Sequence, residues 1–263
     1  MLQAEPGLVR CLVERGEANL LQPHLALVLG YGSPCRLLFV ALFEAPPASK
    51  NFQLLLRKAD LIVITTLFWD IGGVILTNGW DHASRLEAAK TFGLDWDEFR
   101  ERHDLTFPAF DAGQISLDQY LERTVFYHPR DFSREEFTAF MFAQSKEYPD
   151  TRAVLSAVAR TGKYLIGAIN NEPLELNQYR IAAFHLCDDF QLFFSSCYLH
   201  ARKPEEPIYR VALEVTQRAP ETCVFIDDRA LNLENPRRMG MNVVHHQSAS
   251  QLAADLKALG IAV

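Results

Sequence analysis

The 263-residue sequence has no apolar run approaching the roughly 18–20 residues that a bilayer span needs. Its best stretches, Leu25–Leu29 and Leu37–Phe43, are short and lie either side of Gly30, Gly32, Pro34 and Arg36, so no membrane association is expected. A secretory leader is not expected either, because Glu5, Arg10, Glu14, Arg15 and Glu17 break up the region where its apolar core would lie. Positive charge is not in excess. With 26 Lys+Arg against 33 Asp+Glu the net charge is −7, which argues against a protein whose main task is to neutralise nucleic-acid phosphates. Cysteine is scarce, odd in number and scattered: Cys11, Cys35, Cys187, Cys197 and Cys223 show no paired metal-ligand spacing. Free thiols in a reducing cytoplasm are the expectation. Internal repeats and low-complexity tracts are absent too. What is present, 49% hydrophobic and 22% charged residues, excludes a disordered chain and suffices for one large domain or a core with a smaller accessory unit.

Residues 1–62 differ in character from the rest. They carry Arg10, Arg15, Arg36, Lys50, Arg57 and Lys58 against Glu5, Glu14, Glu17, Glu44 and Asp60, a charge of +1 that leaves −8 for the remainder. The segment is Leu-rich without a sustained period, and Pro46-Pro47-Ala48-Ser49 reads as a linker. No methionine lies between Met1 and Met141. The expectation is an atypical N-terminal extension, poorly ordered or not native, with the natural start near Val63 at a non-AUG codon.

From Ile62 the pattern sharpens. Ile62–Trp69 is an apolar, β-branched run of strand length that ends in Asp70 and then Gly72-Gly73. Residues 80–146 carry several amphipathic helical patterns, with capping boxes expected at Ser116…Gln119 and Ser133…Glu136, and read as a small helical insertion. From Asp150 onward helices and strands alternate. Helices are expected at Thr151–Arg160, Leu174–Phe184, Glu205–Gln217, Leu231–Met239 and Ala249–Leu259, and strands at Tyr164–Ile169, Gln191–Ser195, Thr222–Ile226 and Asn242–His245. Such alternation implies an α/β fold, a doubly wound parallel sheet flanked by helices. The core would comprise residues 63–79 and 147–263, with residues 80–146 as a cap inserted after the first strand.

In an open α/β sheet, ligands bind beyond the carboxyl ends of the strands. Successive strands here deliver Asp70, then Asn170-Asn171, then Lys203 just downstream, then Asp227-Asp228 to that edge. Acids, amides and one lysine gathered there suit a cation and a phosphoryl group: two carboxylates can hold Mg²⁺ through oxygen, and the lysine neutralises charge on a transferring group.

The run Leu67-Phe-Trp-Asp70-Ile-Gly-Gly-Val-Ile75 resembles the first motif of the haloacid dehalogenase superfamily. Ala168-Ile-Asn-Asn-Glu172 sits where the second motif should be. Arg202-Lys203-Pro204, with Ile208-Tyr209, resembles the third, and Val224-Phe-Ile-Asp-Asp-Arg-Ala-Leu-Asn232 the fourth. The order agrees, and the resemblance covers about residues 63–260. The insertion is similar to the helical cap of members that act on small molecules, and the first motif is closest in form to bacterial glucose-1-phosphate phosphatase-like members. The resemblance implies a Rossmann-like core and a Mg²⁺-dependent phosphatase acting on a small phosphorylated metabolite. Asp70 would be the nucleophile, forming an aspartyl-phosphate. Mg²⁺ would be held by the Asp70 carboxylate, the Gly72 carbonyl and the Asp227-Asp228 pair. Asp228 would be the more direct of that pair, since adjacent side chains on an extended strand face opposite ways. Lys203 would screen the carboxylate from the dianionic substrate, and Asn170 or Asn171 would hold phosphoryl oxygens.

Two positions depart from the pattern. A second aspartate, the general acid and base, is common two residues after the nucleophile, and here Gly72 stands there. The second motif usually offers Ser or Thr, and here Asn170 takes its place. These departures keep two rivals open: a metal-independent dehalogenase in which Asp70 attacks carbon, and a fold that binds phosphate with little chemistry. Blander roles also stand beside the sharp ones. Taken alone, Asp70 reads as a turn residue and Asp227-Asp228 as a cap for the helix near Leu231; it is the series of motifs that turns Asp70 toward a site. Asn232 belongs either to the metal site or to the helix start. His245-His246 is not expected to bind metal, as strand neighbours face opposite sides. Trp80, Phe107, Phe110, Phe126 and Tyr127 are expected to be the core of the insertion.

Overall fold

The computed structural model describes residues 63–263, so the expectations for residues 1–62 lie outside the described residues. Five strands form one sheet: β1 (Thr66–Trp69), β2 (Leu165–Asn170), β3 (Leu192–Ser195), β4 (Cys223–Asp227) and β5 (Asn242–His245). Their order is β3-β2-β1-β4-β5, and every pairing is parallel. The chain first builds outward from β1 through β2 to β3, then returns to the other side of β1 for β4 and β5. The reversal leaves a crevice at the carboxyl end of β1, the place where ligands enter such sheets.

Both faces are covered, as a parallel sheet requires. Along β1 and β4 the side chains alternate between two cores. Leu67, Trp69, Val224 and Ile226 face one core, with Leu155 and Val158 of α5 (Pro149–Arg160) and Leu252 and Leu256 of α10 (Ala249–Ala258). Phe68 and Phe225 face the other, with Ile208, Tyr209 and Ala212 of α8 (Glu206–Thr216). Burying one such side chain is worth about 1.5–3 kcal/mol, so this alternation locks the register of the two central strands.

Four helices follow β1 before the chain returns to the sheet: α1 (His82–Thr91), α2 (Trp96–Asp111), α3 (Leu117–Thr124) and α4 (Arg134–Ala143). Both expected capping boxes are formed, Ser116 with Gln119 and Ser133 with Glu136, each satisfying backbone N–H groups that a helix start leaves free. The helices share their own aromatic core around Trp80, Phe99, Phe110, Tyr120 and Phe137, with Phe107 and Phe126 packed against it. Tyr127 differs from that expectation: it lies under the Arg102 guanidinium, 3.4 Å from its ring centre. The two linkers that enter and leave this region run side by side. The Thr77 N–H donates to Lys146 O at 2.8 Å, and the Thr77 hydroxyl donates to Gln144 O at 2.7 Å.

Three boundaries differ from the sequence reading. β1 is ordered as strand only from Thr66. The stretch expected as one helix, Leu231–Met239, is a 3₁₀ turn (Ala230–Leu233) followed by α9 (Glu234–Arg238). Pro236 explains the split, because a proline without an N–H is tolerated in the first turn and so places the α-helical start just ahead of it. A short helix, α7 (Ser196–Leu199), also follows β3 directly and stops at His200, whose φ is 51°.

Candidate active site

Asp70 is the first residue past β1, and Asp227 ends the neighbouring strand β4, so the parallel pairing of Trp69 with Ile226 brings the two acids to one edge. Between them sits the Lys203 ammonium. Its Nζ is 2.7 Å from Asp70 Oδ1 and 2.7 Å from Asp227 Oδ2, and its side chain is 2% exposed. Burial works against that charge, but the two carboxylates outweigh it and hold the Lys203 pKa above its ordinary value. Burial pushes the Asp70 carboxyl up to about 7; Lys203 pulls it down, while Asp227 and Asp228 add repulsion. The loop that carries Lys203 is fixed by Asn171, whose side-chain amide donates to Lys203 O at 2.9 Å and accepts from Lys203 N at 2.8 Å.

Asp70, Asp227 and Asp228 each bring one oxygen into a group whose members all lie within 4.8 Å of one another. Adjacent acids therefore do reach one point here. Asp228 lies one residue past the strand, where the chain has left extended geometry, so an oxygen of each adjacent acid can turn into the group. The donor set is entirely carboxylate, which suits a hard, oxygen-seeking divalent cation. Two further observations fit such an ion. Asp228 Oδ1 is buried without a hydrogen-bond partner. Gly73, at φ +78°, lets the backbone press so close to Asp228 that a Cβ there would overlap the carboxylate. Asp227 is itself braced, accepting from the Asn232 amide at 3.0 Å on both oxygens and from Arg229 N at 2.8 Å. Asn232 thus orients an acid, and Asp227 also shapes the turn that follows.

The two amides of the β2 edge have protein partners. Asn170 is 1% exposed, donates to Asn177 Oδ1 at 3.0 Å and accepts from the Ser195 hydroxyl at 2.7 Å. Asn171 is the clasp on Lys203 described above. Gly72 lies beside Asp70 with no side chain, as its sequence dictates. His245 and His246 are outside the carboxylate group: His245 Nε2 meets Asp228 O at 2.9 Å, and His246 N donates to Asp227 O at 2.9 Å.

Sequence reasoning missed a buried pair alongside this site. Arg180, on α6 (Leu174–Ala183), is 1% exposed and is ion-paired with Glu172. Its Nε also donates to the Ser145 hydroxyl at 3.0 Å and its Nη2 to Thr77 O at 3.0 Å, so it ties both linkers of the helical region to the core. The only signal in the sequence is an arginine on the helix face that also bears Asn177 and Leu176, which by pattern alone reads as solvated. At the far end of the same region, Arg202 Nε is 2.6 Å from Asp111 Oδ2 and the Ser196 hydroxyl donates to Asp111 O at 2.6 Å.

The haloacid dehalogenase-like hydrolase family matches residues 64–240, and the chain belongs to that family. It is 28% identical over 177 residues to the chloroplastic flavin mononucleotide hydrolase 1 of Arabidopsis thaliana, covering 65% of this chain and 69% of that protein. It is 25% identical over 215 residues to a phosphatase of Mycobacterium tuberculosis, covering 75% of this chain and 95% of that one. Among solved structures, a HAD family enzyme from Bacteroides thetaiotaomicron, in complex with magnesium and inorganic phosphate, superposes with a TM-score of 0.61. The identity there is 19%, with 70% of this chain and 94% of that chain covered, which establishes the shared fold.

Proposed function

We propose that this hydrolase is a Mg²⁺-dependent phosphatase that acts on a small phosphorylated metabolite through an aspartyl-phosphate on Asp70. The observation that carries the reading is the convergence of Asp70, Asp227 and Asp228 oxygens within 4.8 Å, with the Lys203 ammonium 2.7 Å from two of those acids. A third carboxylate at this point would only add repulsion unless a cation joined it. Mg²⁺, held by the Asp70 and Asp228 carboxylates, Asp227 and the Gly72 carbonyl, would supply charge neutralisation for a dianionic substrate.

The chain's own residues account for the remaining steps. Asp70 is fixed by its Oδ1, which accepts from Ile71 N at 2.7 Å as well as pairing with Lys203, so its other oxygen is the one to attack phosphorus. Lys203 screens the approach of anion to anion, and Asn171 keeps it aimed. Remaining amide hydrogens of Asn170 and Asn171 would hold phosphoryl oxygens. Positioning and charge stabilisation are most of what phosphoryl transfer demands. The named relatives, a flavin mononucleotide hydrolase and a phosphatase, support a phosphate ester as substrate. Sugar phosphates, which the first motif suggests, and flavin mononucleotide are the esters to screen first.

The test is hydrolysis of p-nitrophenyl phosphate with and without Mg²⁺, together with the mass of the enzyme trapped during turnover. We expect metal-dependent release and a phosphoryl adduct on Asp70, both lost in Asp70→Asn. Activity unchanged by that substitution, or halide release from a 2-haloacid that persists under chelation, refutes the assignment.

A further inference from the structure

Resting on the phosphatase reading, we propose that Glu172 supplies the general acid and base that position 72 lacks. Gly72 leaves the flank of Asp70 bare, and the volume its side chain would enter is already bordered. A Cβ built there would lie 3.2 Å from Asn78 Oδ1 and 3.8 Å from Arg180 Nη1. That same Nη1 grips Glu172 Oε2, so the guanidinium that borders the vacated space holds a carboxyl group beside it. Glu172 also emerges at the right edge of the sheet. Trp69 pairs with Ala168, so Asp70 and the residues just past β2 leave adjacent strands at nearly the same level. The Glu172 N–H donates to the Ser196 hydroxyl at 2.9 Å, which fixes the backbone of this residue against α7.

The chemistry of the carboxyl matches the task. Burial drives Glu172 up to about 7; Arg180 pulls it down, and Asp111 opposes Arg180. Lys203 is the other charge facing it. The nearby Cys197 thiol, pushed up to about 12 by burial and by Glu172 itself, stays neutral. A group poised near neutrality can give and take a proton within one cycle. In the first half-reaction, Asp70 forms its bond to phosphorus as the bond to the leaving oxygen breaks, and the Glu172 proton goes to that oxygen. In the second, water attacks phosphorus, its proton passes to the Glu172 carboxylate, and the Asp70–phosphorus bond breaks to release orthophosphate. Arg180 positions the carboxyl.

The experiment compares wild type with Glu172→Gln, which preserves an oxygen for Arg180, on two esters with Mg²⁺ present: p-nitrophenyl phosphate and glycerol 2-phosphate. The aryl leaving group departs without a proton, whereas the alkoxide needs one. We expect Glu172→Gln to retain a stoichiometric burst of nitrophenol followed by slow turnover. With glycerol 2-phosphate it should lose about 10²–10⁴-fold in kcat, along with the limb near neutrality in the pH profile. Glu172→Asp should keep that limb at reduced kcat. Wild-type kinetics in Glu172→Gln on both esters overturn the proposal. So does loss of the aryl burst together with alkyl turnover, which marks a merely structural residue. A wild-type enzyme that turns over neither ester and takes no phosphoryl group on Asp70 overturns the phosphatase reading itself, a different result from any of these.

Discussion

Replacing Lys203 by methionine should expose how tightly the site is balanced. The ammonium is 2% exposed and stands 2.7 Å from both Asp70 and Asp227. Methionine fills much of the same volume but leaves two buried carboxylates facing each other, with Asp228 close by. Removing one partner of a buried pair costs about 3–5 kcal/mol, and here one cation serves two anions, so the upper half of that range is expected. Against a total stability of about 5–15 kcal/mol for a domain, the loss should be plain in urea unfolding at neutral pH. Mg²⁺ should then restore more stability to Lys203→Met than it adds to wild type, because the ion replaces the missing positive charge. At a hundredfold excess over its dissociation constant, an ion that binds only the folded state contributes about 2.7 kcal/mol. Equal unfolding midpoints for wild type and Lys203→Met, each indifferent to Mg²⁺, would show that neither the charge balance nor the cation site has been understood.

Other perturbations probe separate parts of the structure. Gly73→Ala drives a methyl group into the Asp228 carboxylate and strains a backbone at φ +78°, so calorimetry should show Mg²⁺ affinity lowered about tenfold or more. Asn171→Ala removes both hydrogen bonds to the Lys203 backbone together with a donor assigned to the phosphoryl oxygens, so it should lower kcat and raise KM; unchanged kinetics would mean that the clasp is dispensable. Burial holds His103 down at about 3, with its Nδ1 against the Tyr120 hydroxyl at 2.8 Å, so the folded state refuses a proton that the unfolded state accepts below about 6.5. Wild type should therefore lose stability relative to His103→Gln as pH falls below that point, by up to about 1.4 kcal/mol per pH unit, and parallel stability curves would refute a neutral His103. Gly113→Ala would force a Cβ into the Cys197 backbone at the contact between the helical region and the core, and a wild-type melting temperature would contradict that packing.

The sheet was legible because its physics is periodic. Leu67, Phe68 and Trp69 alternate between two cores, as do Val224, Phe225 and Ile226, and each run stops at an acid that no apolar core accepts. Asp70, Asp227 and Asp228 stood out at that punctuation, since a charged residue ending a buried parallel strand has few places to go except the ligand-binding edge, whereas Lys203, in a loop beyond α7, was singled out only by its place in the series of motifs. The boundary at Pro236 and the short α7 were not legible, because each depends on how a loop packs and not on any period in the sequence.

Side chains that act through one another were the least visible. Asn171 reads as a phosphate ligand or a turn residue, and only the fold shows both ends of its amide engaged by the Lys203 backbone. Arg180 looks like one more charge on a helix, yet it is 1% exposed and meets Glu172, Ser145 and Thr77 at once. Those three partners lie 8, 35 and 103 residues away along the chain, separations at which no local pattern forms. The pairing has an energetic consequence. A buried guanidinium is costly unless every donor finds an acceptor, so the linkers that carry Thr77 and Ser145 cannot leave Arg180 without stranding its charge. Because the same guanidinium pairs with Glu172, any displacement of those linkers must also disturb the group proposed for proton transfer. Position of the helical region and readiness of the acid are, on this geometry, one variable.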